Sequence, residues 1–399
     1  MIERLLRTVD NEGGHYRLRT CPREAPSTPR KRRDVPSRFF GCDDWCPARQ
    51  VIVDGPDRFL AFLRERLDDQ RIAFDEGPRR LTGGAFTEVF SFRLTKVPAA
   101  WAMPLVLRLY PTTDDQDQPR LEQAIQNGVA EAGFPAPRVL LAHCEREILD
   151  HMFVVMARIP GRAFLRGVRW DQFARDFPRV VIAWPAVLAR LQRRLHELDP
   201  SFVLESTSAQ GLTLSTVSTR RHLEFVERQL EEFGGAGARD GLAWIRTNEP
   251  SYPVSPSVVH GDLWPGNVLL RDRQVTGVVD WNVAAVGDPA LDVGFAKAGL
   301  ALIPDPFPPP PPIRQGLRVA GVSVARRFHD AYNELCPVAY ERVQYYEALR
   351  CLLELCTVIR YRKEVERGVR SSLPRPPWDH GAEALTKHFS SVSGVPFRL

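Results

Sequence analysis

The residues best suited to chemistry lie in one short stretch, VVHGDLWPGNVLLRDRQVTGVVDW, at positions 258–281. Within it, two segments rich in β-forming residues, 268–270 and 275–279, flank a polar run, which predicts an antiparallel hairpin. Paired positions in such a hairpin have a constant index sum, so a turn within the polar run places Asn267 opposite Asp280. We therefore expect these two side chains to meet at the open end of the hairpin.

Together these side chains suit a divalent cation and a proton transfer. An amide oxygen beside a carboxylate is what Mg²⁺ requires when substrate phosphates and water supply the remaining ligands. Asp262 lies five residues before Asn267, and its carboxylate can accept a hydroxyl proton. The stretch therefore predicts a general base at Asp262 and metal ligands at Asn267 and Asp280.

The order and spacing of these residues resemble the kinase catalytic loop, D-x-x-x-x-N followed by a metal-binding Asp. The opening His-Gly-Asp is similar to that of the aminoglycoside phosphotransferase and choline kinase-like family. The family signatures HGDxxxxN and D-[WF]-[ED] correspond to HGDLWPGN at 260–267 and DWN at 280–282. Asn282 departs from the usual acidic residue, and the resemblance implies a supporting role for His260.

The resemblance extends to the segments expected to bind nucleotide. LTGGAFTEVF, with Gly83 and Gly84, looks like the family's glycine-rich strand-turn-strand, whose backbone amides approach the ATP phosphates. PLVLRLY resembles the family's third strand, which implies that Arg108 holds the α- and β-phosphates and that Glu122 pairs with Arg108. Lys96 is the alternative to Arg108.

Two further segments complete the resemblance. VVMARIPG resembles the connection between two lobes, where adenine contacts main-chain groups from Met156 to Arg158. LHELDP at 195–200 and GDPALDVG at 287–294 match a helix end and the turn after the metal site. In that turn Asp292 is similar to the carboxylate that braces the catalytic loop; capping a helix is its alternative role.

The surrounding pattern predicts the elements that must position these residues. Helical spacing and β-rich runs predict helices from Pro56 to before Gly77, at 119–132, 180–199, 215–233 and 340–367, and strands at 81–94, 104–110 and 151–157. The proline run within 304–312 predicts extended polyproline II. These elements and the resemblance imply an α+β, bilobal protein-kinase-like fold with a small antiparallel-sheet lobe and a mainly helical lobe. We expect a disordered basic tail at 1–48, a nucleotide-binding lobe at 50–158 and a catalytic, acceptor-binding lobe at 159–399.

Composition bears on the class of protein. The chain has 399 residues, 44% hydrophobic and 26% charged, and no apolar run approaches the roughly 18 residues of a membrane span. Its first residues lack the apolar core of a signal peptide, so we expect a cytoplasmic protein. Residues 1–50 hold 11 Lys and Arg against 7 Asp and Glu, and the rest is nearly neutral. This balance argues against nucleic-acid and membrane-surface partners. Seven scattered cysteines indicate reduced thiols, and the spacing of Cys21, Cys42, Cys46 and His15 matches no standard zinc pattern.

The resemblance implies a small-molecule kinase that binds ATP and Mg²⁺ between its lobes and transfers the γ-phosphoryl group to a hydroxyl of a metabolite or antibiotic. We expect that acceptor as the partner, and no obligate protein partner. The alternatives are a catalytically silent ATP-binding or scaffold protein, a nucleic-acid-associated protein acting through its basic tail, and a protein kinase. The acceptor pocket is expected to draw on Trp264 and on segments 215–233 and 328–350. The near-neutral charge favours a less charged hydroxylated metabolite over an aminoglycoside.

Overall fold

The chain folds into an antiparallel sheet followed by a mainly helical part, as seen in a computed structural model. It describes residues 55–81, 87–110, 115–163, 170–234, 236–251, 254–302, 311–368 and 376–397. The α+β class predicted from the sequence is confirmed. The predicted phosphate-binding glycines Gly83 and Gly84, the tail at 1–48 and the cysteine cluster within it lie outside the described residues.

The sheet part carries five strands and two helices among the described residues. Its elements are α1 (Pro56–Arg66), β1 (Ala73–Arg80), β2 (Glu88–Thr95), β3 (Leu105–Leu109), α2 (Gln118–Glu131), β4 (Val139–His143) and β5 (Phe153–Ala157). The strand order is β1-β2-β3-β5-β4, and every neighbouring pair is antiparallel. Strand β3 is therefore central, with β2 on one side and β5 on the other.

Alternation along β3 decides which way Arg108 projects. Leu105, Leu107 and Leu109 are fully buried and pack in one core with Phe59 of α1. Because successive side chains in a strand point to opposite faces, Arg108 projects from the other face, where helix α2 also supplies Glu122.

The helical part surrounds two small sheets. Its elements are β6 (Arg162–Ala163), α3 (Trp170–His196), α4 (Ser201–Ala209), α5 (Leu214–Val217), α6 (Arg220–Phe233), α7 (Ala236–Thr247), β7 (Ser257–Val259), β8 (Val268–Arg271), β9 (Gln274–Val278), β10 (Ala285–Gly287), α8 (Ala290–Leu302), α9 (Pro311–Leu335), α10 (Tyr340–Glu366) and α11 (Ala382–Ser393). Strands β6, β8 and β9 form one sheet, and β7 pairs with β10. A large apolar core, including Trp281, Leu291 and Leu352, holds these sheets against the helices. Within the described ranges, we find no helix with the length and apolar character of a membrane span.

Several predicted elements were wrong in their type or bounds. The predicted helix 215–233 is two helices, α5 and α6, the predicted helix 180–199 belongs to α3, which ends at His196, and in the predicted segment 81–94 strand β2 begins only at Glu88. Helix α1 ends at Arg66, and residues 73–80 form an additional strand in spite of Gly77 and Pro78. Strand β1 lies at the sheet edge and its pairing with β2 contains register shifts, which is where a strand tolerates proline. Pro311 and Pro312 begin α9 instead of continuing an extended run. The first turn of a helix accepts proline because its N–H groups have no partner within the helix.

Candidate active site

The β8–β9 hairpin is the scaffold of the site. Its turn is made by Asp272 and Arg273, both in the left-handed region with φ of 52° and 64°. The register shifts within the hairpin, and the N–H of Val279 donates to the carbonyl of Asn267 at 2.9 Å. Val279 therefore lies opposite Asn267, and the predicted pairing of Asn267 with Asp280 was wrong by one residue.

Asp280 follows directly after this pairing and turns sharply. Its φ is 76°, a left-handed conformation that Asp adopts more readily than most residues. Its carboxylate Oδ1 lies 2.9 Å from Nη2 of Arg108 on strand β3. The turn thus brings Asp280 to the sheet part of the molecule, and the Asp280 side chain stays about one quarter exposed (26%).

Asp262 and Asn267 are joined by hydrogen bonds within the loop between β7 and β8. The Asn267 Nδ2 group donates to the backbone oxygen and to Oδ2 of Asp262, both at 2.8 Å. Asn267 is fully buried, whereas 26% of the Asp262 side chain is exposed. The Asp262 carboxylate is therefore fixed in place and still reachable by an incoming hydroxyl group.

A buried carboxylate holds the start of this loop from behind. Asp292, in the first turn of α8, accepts the N–H of His260 at 2.8 Å and the N–H of Gly261 at 2.6 Å. His196 donates to the same carboxylate at 3.1 Å, and its other ring nitrogen accepts from Tyr332 at 2.7 Å. Burial alone raises the pKa of Asp292, but these donors outweigh it and hold the pKa below its usual value.

His260 links the loop to the end of β9. Its Nδ1 accepts the N–H of Asp262 at 3.2 Å, so its Nε2 carries the proton and donates to the carbonyl of Val279 at 3.2 Å. Burial lowers the pKa of His260, which keeps the ring neutral and both contacts intact near pH 7. The predicted base and the residue preceding Asp280 are thereby held by one side chain.

Arg108 is the point where the sheet part meets the loop. Its Nη1 lies 2.8 Å from Oε1 of Glu122 on helix α2, and both side chains are buried. Tyr110 donates to the second oxygen of Glu122. Burial by itself lowers the pKa of Arg108, but the carboxylates of Glu122 and Asp280 raise it, so the guanidinium stays charged. Lys96, the alternative, lies exposed after β2.

Sequence reasoning missed two residues of this site. Tyr110 follows Arg108 by two positions, and strand alternation could have placed both on one face. Arg350 of α10 lies with Nη2 at 3.1 Å from Oδ1 of Asp262 and at 2.7 Å from Glu354. No sequence signal distinguishes Arg350 from any other arginine on a long helix.

The segment predicted to contact adenine lies at the end of β5. Met156 pairs with β3 and β4 on its two sides, and the N–H of Arg158 donates to the carbonyl of Pro104 at 2.9 Å. The Arg158 amide is therefore engaged, and the contact predicted for Arg158 depends on its carbonyl oxygen.

Several side chains expected to form an acceptor pocket are buried or bonded to other residues. Tyr332 is buried and bonded to His196, while Tyr345 and Tyr346 are also buried. Glu227 of α6 bonds to Arg246 of α7 instead. Segment 328–350 does reach Asp262, through its last residue, Arg350.

The residues present fit a magnesium–nucleotide group. Asn267 turns its Nδ2 toward Asp262, and its amide oxygen and the Asp280 carboxylate are the hard oxygen donors that Mg²⁺ prefers. Among the described residues, no cluster of three or more His, Cys, Asp or Glu is arranged to hold a metal ion. Two protein ligands are typical of Mg²⁺ bound together with substrate phosphates, and Arg108 supplies a cation beside them.

Comparisons with known proteins agree with this fold. The model of the phosphotransferase enzyme family matches residues 79–337, which is more than half of the chain. A thermostable mutant of aminoglycoside phosphotransferase APH(4)-Ia, solved in ternary complex with AMP-PNP and hygromycin B, is similar with a TM-score of 0.52 and 17% identity. The match covers 84% of this chain and 98% of that one, and it confirms the kinase-like fold.

Two curated relatives match part of the chain. Acyl-CoA dehydrogenase family member 11 of Gallus gallus is 28% identical over 182 residues, which are 44% of this chain and 22% of that protein. A homoserine kinase of Beijerinckia indica is 26% identical over 170 residues, 41% of this chain and 50% of the kinase. The matched part therefore spans half or less of the length of these relatives.

Proposed function

The chain belongs to the phosphotransferase enzyme family, and we propose that it is an ATP-dependent kinase of small molecules. In the proposed reaction the γ-phosphoryl group of ATP is transferred to a hydroxyl group of the acceptor. The related structure with AMP-PNP and hygromycin B and the homoserine kinase support a nucleotide donor and a small acceptor.

One observation carries this proposal. Nη1 of Arg108 lies on Glu122 and Nη2 lies on Asp280, so a single guanidinium joins the sheet, helix α2 and the loop after β9. A cation held between two carboxylates from different elements, beside the linked Asp262 and Asn267, supports binding of phosphate groups and a divalent ion here.

Each residue then has a defined task. Asp262 accepts a hydrogen bond from the acceptor hydroxyl and takes its proton as the oxygen attacks phosphorus. Asn267 and Asp280 would hold Mg²⁺, which supplies neutralisation of phosphate charge when it is bound. Arg108 contacts the phosphates, with Glu122 and Tyr110 fixing its direction. The protein thus contributes position and charge, with no covalent intermediate.

The test of this function is ADP release from ATP and Mg²⁺ across a panel of hydroxylated metabolites and antibiotics. For an acceptor that gives turnover, Asp262→Asn should lower kcat at least about 10²-fold, because it removes the general base, while nucleotide affinity changes little. Asp272→Asn, in the exposed hairpin turn, is the matched control and should retain full turnover. ATP binding without acceptor-dependent ADP release would instead indicate a catalytically silent protein.

A further inference from the structure

Arg221 is a cation in an unusual position beside the proposed metal loop. It is the second residue of α6, and its Nη2 donates to the carbonyl of Asn282 at 3.1 Å and to Oε1 of Gln118 at 3.2 Å. Gln118, at the start of α2, donates to the same carbonyl. Arg221 thus touches two neutral oxygens, one in the loop after Asp280 and one in the helix that carries Glu122.

These two contacts are hydrogen bonds to neutral oxygens and do not neutralise the charge of Arg221. Within the described ranges no carboxylate lies at ion-pair distance from Arg221, and its Nη1 is buried without a hydrogen-bond partner. Burial lowers the pKa of Arg221 and outweighs the opposite effect of the carboxylates of Asp115 and Glu122, which lie beyond ion-pair distance. A glutamine amide could make both observed contacts, so a buried positive charge there is costly unless an anion arrives to pair with it.

The contacts link this charge to the loop that carries the proposed base. Asn282 precedes Val283, whose carbonyl oxygen lies 2.6 Å from where a Cβ on Gly261 would be. The residue that Arg221 contacts, Asn282, is therefore the neighbour in sequence of the residue that approaches Gly261. Arg350 contacts the next residue of that loop, Asp262.

His222 shows that the surroundings are electropositive. Its ring is 6% exposed, Nδ1 donates to the carbonyl of Thr219 at 3.0 Å, and Nε2 is buried without a partner among the described residues. Burial, together with the charges of Arg221 and Arg350, lowers the pKa of His222 to about 4. The ring is consequently neutral at pH 7. Within the described ranges no carboxylate contacts Arg221, whose charge is balanced only from beyond ion-pair distance by Asp115 and Glu122.

We propose that Arg221 binds a carboxylate or phosphate group of the acceptor, so that the acceptor is an anionic hydroxy compound. This inference rests on the proposed kinase function, in which the acceptor hydroxyl meets Asp262. Arg350 also favours an anionic acceptor over a cationic one, because its guanidinium contacts Asp262 and would repel a polycation bound beside that residue. The substitution of Asn282 for the acidic residue expected there is consistent with a site that leaves Arg221 available to a ligand.

The first test uses inorganic sulfate as the probe of the anion site. AMP-PNP and Mg²⁺ are kept saturating, so that the nucleotide phosphates occupy their own site. Sulfate should then raise the Tm of the wild-type protein and of Arg220→Gln, and not that of Arg221→Gln. Arg220 is the adjacent residue, is paired with Glu249 on the surface and serves as the matched control. Absence of any sulfate effect on the wild type would overturn the proposal.

A separate measurement distinguishes an anionic group of the acceptor from the phosphates of the nucleotide as the ligand of Arg221. If Arg221 binds the nucleotide, sulfate will act only when AMP-PNP is absent, and Arg221→Gln will weaken the Kd for AMP-PNP. Either result overturns the assignment to the acceptor. The proposal expects an unchanged AMP-PNP Kd in both arginine variants.

Turnover gives a second, charge-matched test with gluconate, glucose and glucosamine. The wild type should prefer gluconate, and Arg221→Gln should raise its KM by about tenfold or more with kcat little changed, since a charge-assisted hydrogen bond is lost. Equal turnover of the neutral or cationic sugar would refute the anionic preference and leave the kinase function standing. Binding of AMP-PNP without ADP release from any hydroxy compound would instead refute the kinase function.

Discussion

The Asp280 carboxylate, which would bind a metal ion, contacts a positively charged side chain in this structure. Its Oδ1 lies on Arg108, while Asn267 offers only a neutral amide on the other side of the hairpin. A charged ligand attracts a divalent ion more strongly than a neutral one, so the two residues should differ in their effect on magnesium binding.

This difference can be measured by magnesium titration. Asp280→Ala should raise the Mg²⁺ concentration needed for half-maximal ATP binding by more than about tenfold, and Asn267→Ala should raise it less. ATP binding in excess EDTA controls for loss of the nucleotide site itself. A larger effect of Asn267→Ala would contradict the assignment.

Single residues were predictable where chemistry and spacing are local. Asp262, Asn267 and Asp280 lie within one stretch, and Asn267 does contact Asp262, but the hairpin pairs Asn267 with Val279 and not with Asp280 as the pattern predicted. Arg350 and Arg221 come from helices that are distant in sequence. Their contacts with Asp262 and Asn282 depend on tertiary packing, which no local pattern of residues predicts. Their catalytic and binding roles, like those of the other site residues, stay predictions.

Among the elements, the loop between β7 and β8 depends on one backbone conformation. Gly261 has a φ of 75°, and a Cβ there would lie 2.6 Å from the carbonyl oxygen of Val283. Gly211 has nearly the same φ, 76°, but a Cβ there would meet no atom within 4 Å. The two glycines therefore separate backbone strain from steric contact.

Their alanine variants should consequently behave differently. Gly211→Ala should lower the free energy of unfolding by roughly 1–2 kcal/mol, the cost of a left-handed conformation, and leave turnover unchanged. Gly261→Ala should lower it further and reduce kcat, because the loop must move away from Val283. Urea unfolding and acceptor-dependent ADP release measure both effects. Equal loss of stability in the two variants would show that the contact with Val283 is unimportant.

Element types followed from periodicity, but details of the backbone did not. Helices with strong apolar spacing, such as 119–132 and 340–367, match α2 and α10 within about one residue. The shift within the β8–β9 hairpin changes the pairing by one position and has no signature in residue type. Strand β1 was missed because Gly77 and Pro78 are typical of turns and are tolerated only at an edge.

The fold class and the family were both predictable, because several motifs follow one another along the chain in the expected order. The bounds of the two lobes stay a prediction, as does the tail at 1–48. That tail has no periodic apolar face with which to pack on the rest of the protein.

Removal of residues 1–48 should therefore leave the Tm and ATP turnover essentially unchanged. Differential scanning calorimetry and ADP release of the full chain and the truncated chain, in the same buffer, provide the comparison. A Tm lower by several degrees would show that the tail packs on the folded part.

The anchoring of the loop by Asp292 has a consequence for the choice of acceptor. Asp292 and His196 fix the backbone of His260 and Gly261 from the protein interior, away from the solvent-facing side of Asp262. Arg221, which contacts Asn282 from helix α6, takes no part in that support. Under the proposed function, a change at Arg221 would therefore alter the choice of acceptor and leave the backbone at His260 and Gly261 in place.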